Sequence, residues 1–63
     1  MYTGKVKIFH EAKGFGFIVD EETKREYFVH ISGLIDAVKK NEKVSFELAD
    51  GERGKNAVNV KLI

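Results

Sequence analysis

Lys13-Gly14-Phe15-Gly16-Phe17-Ile18 is the densest run in this sequence of residues suited to recognition. A second run, Tyr27-Phe28-Val29-His30, follows within a short stretch. Rings interleaved with lysines suit a contact surface, for nucleic acid or for another protein. Aromatic faces stack on unpaired bases, at about 1–3 kcal/mol per base and with little regard for sequence, while ammonium groups beside them offset phosphate charge. Glycines at 14 and 16 remove side chains that would obstruct close approach of a strand or of the neighbouring backbone.

Other chemistries find little support. Two histidines and no cysteine make a poor metal inventory, and His10 and His30 fall in different strands with no ligand pattern around them. No metal or cofactor is expected. His30 and Ser32 are two apart, but no third residue orients the histidine and no oxyanion loop is visible, so no enzyme is expected. Asp20-Glu21-Glu22 lacks the spacing of a calcium loop and reads as a solvated hairpin. Gly51-Glu52-Arg53-Gly54 imitates the GXXG loop of KH domains, which needs helices on both sides; strands flank it here, and a turn is the better reading.

The elements that must position these residues are short. The chain has 63 residues, read as one domain over 1–63. A domain of this size buries only about 60% of the surface of its unfolded chain, which leaves a thin core and no deep pocket for a small-molecule substrate. With 43% hydrophobic and 33% charged residues the composition is globular. Apolar runs are too short to span a membrane, and no charged segment followed by an apolar stretch opens the chain as a secretion signal would. The absence of cysteine excludes disulfide staples and favours a cytoplasmic setting. Net charge is only +1, so binding to nucleic acid by bulk charge alone is not expected. Lys5, Lys7 and Lys13 nevertheless outnumber Glu11 in the first 19 residues, and acids prevail over 20–26.

Alternation predicts strands over 2–10, 15–19, 26–31, 43–49 and 55–62. Leu34, Ile35 and Val38 recur at helical spacing, which predicts one or two helical turns after Ser32 as cap, with the apolar stripe plugging a barrel end. The order β-β-β-short helix-β-β suits a five-stranded antiparallel OB-fold-like barrel, with a helix-free SH3-like barrel as the alternative. Each strand of such a barrel should show one apolar and one wet face. In the fourth, Val44, Phe46 and Leu48 oppose Lys43, Ser45 and Glu47; in the fifth, Val58, Val60 and Leu62 oppose Ala57, Asn59 and Lys61. The second and third strands do not balance. Phe15, Phe17 and Val19 share one face against Gly16 and Ile18; Phe28 and His30 share one against Tyr27, Val29 and Ile31. At least two phenylalanines must stand in water, and exposed clustered aromatics mark an interaction surface. Parity alone leaves open which face is inside.

The run Lys13–Ile18 resembles the RNP1 motif of bacterial cold-shock proteins, and Tyr27–His30 resembles their RNP2. Gly4-Lys-Val-Lys-Ile-Phe9 and Ala57-Val-Asn-Val60 resemble the flanking first and last strands, so the resemblance covers essentially the whole chain. It implies an OB-like barrel that binds single-stranded RNA or DNA on outward-facing rings, acting as an RNA chaperone. By position, Phe15, Phe17, Phe28 and His30 would form the stacking platform, with Phe9 at its edge, Lys7 and Lys13 close by, and Arg53 touching the bound strand from the last loop. His30 stacks while neutral and adds charge when protonated. The sequence also departs from the pattern. Ile8 stands where the family usually has tryptophan and Ile31 where it often has phenylalanine. Residues 32–44 form a shorter segment that carries no extra aromatic. Fewer stacking partners imply weaker or shorter-footprint binding. A protein-interaction or self-association module on the same barrel is the alternative function, and a monomer is expected ahead of a dimer.

Overall fold

β-branched and aromatic residues alternating with polar ones, punctuated by glycine and never by proline, favour strands. The computed structural model describes residues 1–51 and 54–63 and holds five strands: β1 Tyr2–His10, β2 Phe15–Asp20, β3 Glu26–His30, β4 Lys43–Gly51 and β5 Gly54–Leu62. They close into a barrel in the order β1-β2-β3-β5-β4, with β4 returning to β1. Closure removes the open edges on which an all-β chain would otherwise aggregate. The expected five-stranded barrel is therefore what the chain forms. One seam departs from the antiparallel expectation: β3 and β5 run parallel, with Phe28 opposite Asn56 and Val29 opposite Ala57. A parallel pair needs a long crossover, and residues 31–53, with β4 among them, supply it.

The expected helical turns over Leu34, Ile35 and Val38 shrink to a single 3-10 turn, Ile31–Gly33. The chain beyond it is claimed by the barrel backbone. Leu34 bridges Val60, the Ile35 N–H donates to the Val60 carbonyl at 2.7 Å, and the Asn41 N–H donates to the Val6 carbonyl at 2.7 Å. Those groups are no longer free for helical bonds. Val38 is buried in the core and Leu34 packs half-buried against it, while Ile35 is 63% exposed, so only part of the stripe serves as a plug.

Tight turns join the first three strands. The His10 carbonyl accepts from the N–H groups of Lys13 (3.1 Å) and Gly14 (2.8 Å), and Gly14 takes the positive φ of 75° that ends the turn. After β2, the Asp20 carboxylate accepts from the N–H groups of Glu22 (2.7 Å) and Thr23 (3.0 Å). Such a local side-chain bond is what favours aspartate in turns. Asp20 is buried, so the acidic hairpin is solvated only from Glu21 onward.

Val6, Ile18, Val29, Val44, Phe46, Ala57 and Val60 fill the interior. Burial of each large apolar side chain contributes about 1.5–3 kcal/mol. Two bulges change which residues reach that interior. On β1 the partners run Val6 with Ile18 and then Ile8 with Phe17, so Lys7 is an extra residue and parity reverses there. Val6 and Phe9 turn inward; Ile8 and His10 turn outward. On β5 the partners run Lys61 with Ser45 and then Val58 with Glu47. Asn59 sits in this bulge at φ 52°, a conformation asparagine tolerates better than most residues. Ala57 and Val60 are buried, Val58 is half-buried and Leu62 is 40% exposed. The single apolar face expected for Val58, Val60 and Leu62 is thus split by the bulge.

Gly16 faces inward, and Phe9 lies over it. A Cβ there would collide with the Ile8 carbonyl oxygen and come within 2.6 Å of the Phe9 ring. Gly16→Ala should therefore destabilise the barrel by about 1–3 kcal/mol, as overpacking does, read from the midpoint of urea unfolding. An unchanged midpoint would contradict the inward placement.

Candidate nucleic-acid interface

Register across β1, β2 and β3 decides which side chains share the outer surface. Phe17 lies between Ile8 and Phe28, Phe15 between His10 and His30, and Val19 between Lys5 and Glu26. The inner face of the same strands carries Gly16, Ile18 and Val29, all buried. Tyr27 also turns inward, its ring 6.1 Å from that of Phe46. Strand parity left the choice of inner face open, and register resolves it in favour of Phe15, Phe17 and Phe28 outside.

The three outer rings brace one another. Phe15 and Phe28 stack with centroids 5.8 Å apart and planes 21° from parallel. Phe17 stands nearly perpendicular to both, 6.5 Å from Phe15 and 6.0 Å from Phe28. Edge-to-face and offset-stacked contacts of this kind contribute about 0.5–1.5 kcal/mol each and hold the rings in place before anything binds. All three are half-buried. His10 lies against Phe15, 5.4 Å away and tilted by 56°.

His30 is exposed, but its ring is fixed. Its Nδ1 accepts from the Ser32 N–H at 3.1 Å and lies 2.9 Å from the Ser32 hydroxyl. The backbone N–H can only donate, so in the neutral ring the proton sits on Nε2. His30, rather than Ser32, caps the 3-10 turn. His30 is Phe15's partner across the β2–β3 pair.

Phe15, Phe17, Phe28 and His30 therefore share one outer face, as the resemblance implied. Phe9 is not: the bulge at Lys7 turns it under Gly16, where it packs against the core. Ile8 takes the outer position beside Phe17 instead, 36% exposed. His10 is the ring that sequence reading missed, because simple alternation from Lys5 and Lys7 places it inside. Nothing in the residue types announces a bulge there.

Lys7 reaches the outer face, with its ammonium 3.0 Å from Glu26. Both side chains are about half exposed, and pairs of that kind are worth only about 0–1 kcal/mol, so the Lys7 ammonium is released at little cost. Lys13 sits exposed in the turn before Phe15 and has no ion-pair partner among the described residues. Lys55 is already engaged: the hydrogen bond and the charge of Asp50, 2.9 Å away, hold its ammonium above the ordinary lysine range. Arg53 lies outside the described residues. Among those described, no group of three or more His, Cys, Asp or Glu side chains converges as a metal site would require, and no helix is long and apolar enough to cross a membrane.

Residues 2–63 match the family model described as the "Cold-shock" DNA-binding domain. The chain is 41% identical to the cold shock-like protein CspC of Escherichia coli over 64 aligned positions, covering 95% of this chain and 93% of that protein. It is 45% identical to the cold shock-like protein CspD of Bacillus cereus, over 95% of this chain and 96% of the relative. Among solved structures, drosophila Unr CSD456 superposes with a TM-score of 0.80 at 25% identity; the match covers 98% of this chain and 26% of that longer one.

Proposed function

The chain belongs to the cold-shock domain family, and from that premise we propose that it binds single-stranded RNA or DNA by stacking bases on Phe15, Phe17 and Phe28. The family is a nucleic-acid-binding one. The observation that carries the reading is the set of three rings with centroids 5.8–6.5 Å apart, braced against one another on the wet side of a barrel that already has a full core. His30 extends the platform beyond Phe15, and Lys7 and Lys13 offset phosphate charge at its margins. Arg53 joins the bound strand on the strength of the resemblance alone. Phe9 acts from beneath, as support for the Gly16 strand.

Stacking reads base faces rather than base edges, so little sequence preference follows. Binding of that kind holds unpaired strands and lets them go, which suits an RNA chaperone working as a monomer in the cytoplasm. Ile8 limits the strength. It occupies the outer position beside Phe17 with an aliphatic side chain, and one stacking partner is absent there.

Phe15→Ala combined with Phe17→Ala should weaken binding of a short oligothymidine by at least about 30-fold, the equivalent of roughly 2 kcal/mol for two stacks. The barrel should stay folded, as judged by its amide NMR spectrum. Survival of binding in that double variant would remove the platform. In the opposite direction, Ile8→Trp should tighten binding about fivefold or more through one added stack, measured by fluorescence titration of the new indole.

A further inference from the structure

Where β1 and β2 run on past the rings, an open depression of about 540 Å³ gathers lysines from three separate parts of the chain. Lys5 comes from β1, Lys24 from the loop between β2 and β3, and Lys40 from the segment before β4. None of the three has an ion-pair partner among the described residues. Lys7 and Lys43 also line the depression, each held by a glutamate, Glu26 at 3.0 Å and Glu21 at 3.2 Å. The other acid there, Asp20, is 4% exposed and spends its carboxylate on two backbone N–H groups of its own turn. Positive charge is thus concentrated here in a chain whose net charge is only +1.

A second observation points the same way. Lys5 stands directly opposite Lys43 in the β1–β4 pair. Like charges facing each other across strands destabilise a sheet. The Asn41 N–H and the Glu42 carbonyl bond to the backbone of Val6, which draws Lys40 alongside the same stretch of β1. Glu21 already offsets Lys43 at 3.2 Å, but Lys5, Lys24 and Lys40 have no such carboxylate among the described residues, and an anion seated among them would offset their repulsion.

We propose that this depression receives phosphate groups of the same strand whose bases stack on Phe15, Phe17 and Phe28, and so lengthens the footprint beyond the rings. The proposal rests on the base-stacking reading above. Lys5 and Ile8 face Val19 and Phe17, two residues apart on β2, so they lie about 7 Å apart along the sheet, and Lys7 bulges between them. A strand leaving the rings over Ile8 therefore passes Lys7 and enters the depression with no gap in positive charge. Contacts there go to the backbone, so they add affinity and salt dependence without adding sequence preference.

The test compares oligothymidines of about 4 and about 10 nucleotides, the range over which one barrel of this kind is filled. The variant is Lys24→Glu with Lys40→Glu, both in loops and away from the rings. The wild type should bind the longer strand with the steeper salt dependence. In the variant the slope for the longer strand should fall by about 1.4, from two lost contacts at about 0.7 each on single strands, while the shorter strand binds as before. Extra registers on a longer strand raise its apparent affinity in both proteins alike, so the slope is the readout. The pair Lys24→Arg with Lys40→Arg should restore it. An unchanged slope in the glutamate variant, with the short strand still bound, would overturn the depression alone. Failure of the wild type to bind either length would overturn the stacking reading and this one together.

Discussion

The interior of the barrel takes one face of each strand and no more. Val6, Ile18, Val29, Val44, Phe46, Ala57 and Val60 fill it, and Phe9 covers the one inner position, Gly16, that has no side chain. Once Gly16 and Ile18 face inward, strand parity gives Phe15 and Phe17 no choice but the outside, and register sends Phe28 and His30 with them. The platform is thus a consequence of a filled core. Three rings left in water would cost stability unless they covered one another, and their stacked and edge-on contacts do so.

Much of this was legible in the residues. The imbalance of the second and third strands showed that phenylalanines must be exposed, and the RNP1-like and RNP2-like runs showed which ones. Five strands in the right places followed from alternation, and the punctuating glycines marked the turn at Gly14. Three features escaped. The bulge at Lys7 exchanged the fates of Ile8 and Phe9, because an inserted residue leaves no mark on local composition. The bulge at Asn59 did the same to Ala57, which turned inward, and Val58, which turned outward. The helical spacing of Leu34, Ile35 and Val38 was overridden by backbone partners on Val6 and Val60, which lie far away in sequence and are visible only in the closed barrel.

Charge plays a supporting part and is distributed to match. Around the rings, Lys7 is held loosely by Glu26 and Lys13 stands free of ion pairs among the described residues. Beyond them, Lys5, Lys24 and Lys40 extend the basic surface along β1. A net charge of +1 keeps long-range attraction weak, so on the proposed function most of the affinity comes from stacking. On the proposed function, the exposed aliphatic side chains of Ile8 and Ile31 in place of further rings favour rapid capture and release over tight storage.

The most direct measurement is an NMR titration of the unmodified protein with a short oligothymidine, following the aromatic side-chain protons. The ring protons of Phe15, Phe17 and Phe28 should move upfield together with saturating oligonucleotide and show contacts to thymine protons, while those of Phe46, sealed in the core, stay in place. Binding that leaves those three rings unshifted, with the changes confined to other surfaces, would contradict base stacking on the β1–β3 face.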